Sequence, residues 1–390
     1  MTTDYRLVVA QPELEAVCRE MAEAPYVTID TEFIRERTYW PQLCLVQVAR
    51  PLDADGAENA VLIDPMAGLD LTPLFDLARN PDVLKVFHAA RQDVEIFVHL
   101  MDEVPSPIFD TQIAAMVCGF GDQAGYETLV RSIAGVTLDK TSRFTDWGRR
   151  PLSEKQLAYA AGDVTHLRAI YEKLSARLEE TGRMSWVASE LEALRAKETY
   201  VVEPDDAWLR LKTRSTDPRF LGVARALARW REETARSRDQ PRGRILKDEA
   251  ILEISATRPS SRERLLTSRA LQREGRKPEV LDEILAAVAQ GLADPPKAPP
   301  APPRKKQNAG GQALVELLRV LLKAKAEELG VAQRLIASSA DLDVLAHEDE
   351  PDIKTLTGWR REAFGEDALR LKRGEIALSA GRQGVKIVTV

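Results

Sequence analysis

Six prolines fall between Pro295 and Pro303, inside the stretch LADPPKAPPAPPRKKQNAGG that covers residues 292–311. Proline fixes φ and removes a backbone donor, so this stretch reads as a stiff, extended linker and not as a packed element. The chain must therefore fold as separate pieces on either side of it. A length of 390 residues allows two or three domains. With 44% apolar and 30% charged residues, the composition excludes a wholly disordered, collagen-like or membrane protein.

The front third alternates strand-like and helix-like runs. Residues 27–33, 44–49, 60–64 and 85–88 are short and rich in Val, Ile and Leu. Helical patterns follow over 93–101, 111–119 and 126–134. Such interleaving predicts an α/β sandwich with a buried sheet. The short connection between the first two strands makes part of that sheet antiparallel. A long helix is predicted from Ser153, because Ser153 and Gln156 have the spacing of a capping box. Gly182 is its stop. The first domain is thus expected over residues 1–195, with EPDDAW (203–208) as a connector. Residues 209–291 read as a helical module with Trp230, Leu246, Ile251 and Ile254 in its core. Residues 312–382 read as helical again.

Charge divides along the chain. Residues 1–200 hold 20 Lys+Arg and 32 Asp+Glu; residues 201–390 hold 35 and 29. An acidic front half can act on phosphates if its carboxylates hold metal ions, and a basic rear half can hold a polyanion. Two solvated surfaces would give the same counts. Cys18, Cys44 and Cys118 are odd in number and widely spaced, which fits neither a zinc site nor a disulfide framework and points to a reducing compartment. The opening MTTDYRLVVA lacks the pattern of a signal peptide, and no apolar run is long enough to span a membrane. A cytoplasmic location is expected.

Three segments carry candidate chemistry. In Thr28-Ile29-Asp30-Thr31-Glu32-Phe33, Asp30 and Glu32 are two apart on a predicted strand and face the same side. Two such carboxylates repel and lose hydration, and a divalent cation is the simplest compensation. Two exposed acids at a strand end are the alternative. In FHAARQDVE (residues 87–95), Asp93 falls in the first turn of a helix, where the dipole alone would favour it. His88 beside it reads as a core or rim histidine. In Tyr159-Ala160-Ala161-Gly162-Asp163, Tyr159 and Asp163 share a helix face across small residues, as would an ordinary surface pair.

Taken together and in this order, these segments resemble the DEDD superfamily of 3′–5′ exonucleases, in the branch with Tyr before the last Asp. DTEFIRERTYWPQLCLVQ, LIDP, FHAARQDVEIF, FDTQIAA, GVTLDK, TDWGRRPL and QLAYAAGDVTHL are similar to bacterial ribonuclease D over about residues 5–195. The resemblance implies a ribonuclease H-like α/β exonuclease domain followed by two small all-α HRDC domains. The first would occupy 209–291, where LARWR (227–231), DEAI (248–251) and Arg258-Pro259 match. The second, more divergent, would occupy 312–382, where Gly358-Trp359-Arg360 matches. It also implies two divalent ions, Mg²⁺ or Mn²⁺, held by Asp30, Glu32, Asp93 and Asp163. Asp30 would bridge both ions, Glu32 and Asp163 would complete the first, and Asp93 would serve the second. Tyr159 would orient the attacking water. Phe33, Lys140, Trp147, Arg149 and Arg150 are candidates for contact with the RNA. The implied substrate is RNA with a free 3′ end, such as a tRNA precursor, cut to 5′-mononucleotides. No obligate protein partner is implied, and a monomer is expected. A DNA 3′–5′ exonuclease and a non-catalytic RNA-binding scaffold are the competing readings.

Overall fold

The computed structural model describes residues 5–52, 60–138, 145–271, 277–295, 311–382 and 384–390. A six-stranded mixed sheet forms the front domain from β1 (Tyr5–Val8), β2 (Tyr26–Ile34), β3 (Gln42–Ala49), β4 (Ala60–Ile63), β5 (Leu84–Phe87) and β6 (Ile108–Asp110), in the order β1-β4-β3-β2-β5-β6. β3 runs antiparallel to both β2 and β4, and the other pairs are parallel. The expected mixed sheet is therefore present. β1 and β6, four and three residues long, are additional to the four strands expected.

Alternation along β2 divides its side chains between two layers. Val27 and Ile29 pack on helices α1 (Gln11–Met21), α2 (Thr72–Arg79) and α3 (Arg91–Met101). The next helices are α4 (Thr111–Val117), α5 (Tyr126–Leu129) and the long α6 (Glu154–Glu180). Leu45, Ala49 and Leu62 pack against Ala160, Ala161 and Val164 of α6. Thr28 on the same face donates its hydroxyl to the Val164 carbonyl at 2.9 Å. The predicted capping box is formed: Gln156 N donates to Ser153 Oγ (3.3 Å), and Ser153 N donates to Gln156 Oε1 (3.0 Å). Gly182, at φ +66°, follows the end of the helix. Burying the apolar faces of β2, β3 and α6 fixes where the acids on those elements meet.

After α7 (Met184–Arg195) the chain enters a helical unit made of α8 (Pro218–Ser237), α9 (Arg242–Ile245), α10 (Asp248–Thr257), α11 (Arg262–Leu266) and α12 (Pro278–Ala293). Leu246, Ile251 and Ile254 are in its core, with Trp230 half-buried against them. The expected connector at 203–208 is instead part of this unit. Pro204–Arg210 is a 3₁₀ helix whose Ala207 is buried in the same core, because its acids face out while Ala207 and Leu211 face α8. Of the stretch 292–311, Leu292 and Ala293 belong to α12 and Gly311 opens α13 (Gly311–Leu329). Residues 296–310 lie outside the described residues.

The last unit continues with α14 (Gln333–Ile336) and α15 (Ser339–His347). Its C-terminal end departs from the all-helical expectation. Gly374 turns at φ +76°, and β7 (Ile376–Gly381) and β8 (Gly384–Thr389) form an antiparallel hairpin. The β-branched run Val385-Lys386-Ile387-Val388-Thr389 favours a strand over a helix there.

Both rear units pack against the front domain. Tyr39, in the β2–β3 loop, is buried, and its hydroxyl pairs with Glu232 while accepting from Arg242 Nη2 (2.8 Å) and Arg236 Nε (3.0 Å). On the other side Ala332 N donates to Met116 O (3.1 Å), and the Trp186 and Trp359 rings stack at 4.1 Å. Gly119 makes this approach possible: a Cβ there would lie 2.5 Å from the Gly330 carbonyl oxygen.

Candidate active site

Alternation puts Asp30 and Glu32 on the α6 face of β2, where Asp163 meets them. One ligand oxygen from each of Asp30, Glu32 and Asp163 lies within 4.8 Å of the others. A register shift between Glu32 and Phe33 ends the regular pairing just beyond the acids. Asp93 approaches from α3 and stands outside that group of three. Its Oδ1 accepts from the Thr31 hydroxyl at 2.5 Å. The strand thus offers two acids to one layer and, through Thr31, anchors a third acid from the other.

Crowding raises the proton affinity of these groups. Burial pushes the Asp30 carboxyl up to about 6, against the opposing hydrogen bond from the Thr31 backbone N–H. Burial, then the neighbouring Asp30, holds Asp93 well above the ordinary carboxylate range. Packed carboxylates in a desolvated site demand a counter-charge. An all-oxygen donor set of this size suits a hard divalent cation, and neither Cys nor a His nitrogen joins it.

Beside the acids opens a cavity of about 290 Å³ lined by Asp30, His88, Tyr126, Tyr159 and Asp163 among others. Tyr159 is half-exposed on its wall, with its ring centroid 6.2 Å from that of Trp147. His88 is a rim residue: its Nδ1 lies 3.0 Å from Thr111 Oγ1, and burial lowers its pKa. Tyr126 also lines this cavity, a position that the sequence did not single out. Its hydroxyl donates to the carbonyls of Gly162 (2.9 Å) and Asp163 (2.8 Å). It pins the turn of α6 that carries Asp163, from 37 residues away in sequence. Nothing local to residue 126 signals that contact.

The candidate RNA contacts fall in different places. Phe33 is half-buried at the end of β2, and Arg149 is exposed. Lys140 lies outside the described residues. Trp147 is only 4% exposed and sits in the core beneath Tyr159, so neither of its ring faces is open to a base. Arg150 is already occupied. It makes paired bonds to Asp64 (2.7 and 2.6 Å) and donates to the carbonyls of Cys44, Trp147 and Arg149. All five of its donors hold the fold.

A mixed sheet with an acid cluster under one long helix, followed by a helical unit, is the plan of a 3′–5′ exonuclease with an HRDC domain behind it. Family models with those two descriptions match residues 5–179 and 220–288. A ribonuclease D of Jannaschia sp. is 55% identical over 97% of this chain and 98% of its own length. One from Granulibacter bethesdensis is 49% identical over 98% and 96%. The crystal structure of Escherichia coli RNase D, described as an exoribonuclease involved in structured RNA processing, superposes with a TM-score of 0.80. It is 30% identical, with 95% of this chain and 99% of that one covered. The chain belongs to the ribonuclease D family of 3′–5′ exoribonucleases, which work with divalent metal ions. Among the described residues, no helix is long and apolar enough to cross a membrane.

Proposed function

We propose that Asp30, Glu32, Asp93, Tyr159 and Asp163 form the catalytic centre of an exoribonuclease that trims the 3′ ends of structured RNA such as tRNA precursors. The observation that carries this reading is the convergence of three carboxylates within 4.8 Å beside a Tyr159-lined cavity. Two divalent ions, Mg²⁺ or Mn²⁺, would supply Lewis-acid stabilisation of the entering and leaving oxygens. Asp30 would be shared between them, Glu32 and Asp163 would complete one, and Asp93 would serve the other. The Thr31 hydroxyl holds the Asp93 carboxylate in position, and the Tyr126 hydroxyl holds the backbone of Asp163. Tyr159 orients the attacking water by hydrogen bonding. A tyrosine hydroxyl, with an unperturbed pKa of about 10, is a donor at neutral pH. Trp147 supports the Tyr159 ring from below. The cavity volume, at the small end of ligand sites, suits a single terminal nucleotide.

Phe33 and Arg149 remain the proposed contacts to the strand, with Lys140. The domain reading that goes with this function is an exonuclease over 1–195, an HRDC domain over 209–291 and a divergent HRDC-like unit over 312–382. The protein is proposed to act as a cytoplasmic monomer. Asp30→Ala, Asp93→Ala and Asp163→Ala should fold and lose nearly all turnover on a 3′-tailed RNA hairpin. Tyr159→Phe should lose much of kcat while Mn²⁺ and RNA binding persist. Near-normal turnover in the three Asp variants would overturn the reading.

A further inference from the structure

Gln47 stands in the middle of β3, in the interior of the sheet. Its side chain is 0% exposed, and both its amide nitrogen and its amide oxygen lack any partner. Of the buried side chains with an unpartnered polar atom among the described residues, it alone has both ends orphaned. Leucine at this position would cost nothing in hydrogen bonding, so the amide needs a reason.

Its surroundings supply one. Residues directly opposite in an antiparallel pair share a face, with Cβ atoms about 4.5–5.5 Å apart. Opposite Gln47 on β2 is Asp30, and opposite it on β4 is Leu62. The same-face neighbours along β3 are Leu45 and Ala49, both packed on α6. Asp30 is therefore the one polar side chain among the four sheet neighbours of this amide. A carboxylate offers about four lone-pair sites, so one shared between two ions still keeps sites that need a donor, and such outer partners set the orientation of the ligand.

We propose that Gln47 is the positioning residue for Asp30, its amide N–H holding a carboxylate lone pair that the bound divalent ions leave free. This rests on the reading of Asp30 as a metal ligand. Local cost at a functional position is the expected signature of such a residue.

The test uses Gln47→Met, close in volume, with Gln47→Leu as a second variant, in the full-length protein. Metal-free Tm and Mn²⁺ affinity by titration calorimetry are both measured. The expected result is an unchanged or raised metal-free Tm with Mn²⁺ affinity weakened about 10–100-fold. On RNA, kcat should fall and KM should hold. In a cycle with Asp30→Asn, the two substitutions should be strongly non-additive in Mn²⁺ affinity. Wild-type Mn²⁺ affinity in both Gln47 variants, or a lowered metal-free Tm, would overturn the proposal and make Gln47 a packing residue. If Asp30→Asn itself binds Mn²⁺ like the wild type, the metal reading of Asp30 fails first and takes this proposal with it.

Discussion

Glu232→Ala tests how the first helical unit is held on the exonuclease domain. The Glu232 side chain is 1% exposed and accepts from Arg242 Nε at 2.5 Å and Nη2 at 2.6 Å, with Arg236 at 3.7 Å and the Tyr39 hydroxyl also paired to it. Burial opposes its charge, but the hydrogen bonds from Arg242 and Tyr39 outweigh burial and hold its pKa below the usual carboxylate value. Removing one partner of a buried ion pair costs about 3–5 kcal/mol. Arg242 and Arg236 retain 32% and 27% side-chain exposure, so water recovers part of that. A loss of about 2–4 kcal/mol remains, by the same argument. A unit of this size loses roughly 4–8 °C of Tm per kcal/mol. Calorimetry should therefore show a low-temperature transition displaced downward by roughly 10 °C or more, from the unit carrying α8. Hydrogen exchange should show faster exchange in the β2–β3 loop. A single transition at the wild-type temperature would show that Glu232 does not hold this unit in place. The stabilisation from Glu232 is present above its unfolded pKa and lost as pH falls through its folded one, so the wild-type seam should loosen only in acid.

Two further outcomes follow from the site and its flank. Asp30 and Asp93 have raised pKa values in the metal-free fold, so the stability they contribute is full below about pH 4 and is lost as pH rises through about 6 for Asp30. Divalent ions reverse that loss, so the Tm gain from Mn²⁺ should be larger at pH 7.5 than at pH 5; equal gains would show that these acids do not meet the ion. Arg149→Ala should raise KM for RNA without changing Tm, whereas Arg150→Ala should lower Tm because it breaks the Asp64 pair and three carbonyl contacts. The opposite pattern in thermal melts and initial rates would exchange the two roles.

Much of the site was legible because it depends on local spacing. A two-residue repeat puts Asp30 and Glu32 on one face, and a four-residue helical step puts Tyr159 and Asp163 on another. The Ser153 capping box marks the start of α6 for the same reason. What was hidden depends on partners distant in sequence. Arg150 looks like any arginine near a motif until Asp64, 86 residues away, takes its guanidinium. Trp147 carries the same aromatic promise as Phe33, and only the packing of α6 buries it. Tyr126 and Gln47 owe their interest to a backbone turn and a cross-strand neighbour. β1 and β6 are too short to give a periodic signal, and the C-terminal hairpin follows a helical region with no linker to announce a change.

In the proposed function the clustered acids remove nucleotides from an RNA 3′ end with the help of divalent ions. The most direct measurement is a time course on 5′-labelled hairpins with single-stranded 3′ tails, matched in RNA and DNA. Each is run with Mg²⁺, with Mn²⁺ and with chelator, for the wild type and Asp163→Ala. The expected result is a ladder shrinking from the 3′ end of the RNA, present with metal, absent with chelator and absent in the variant. Equal or faster shortening of the DNA would contradict the assignment to RNA. A ladder that persists in chelator or in Asp163→Ala would contradict the chemistry itself.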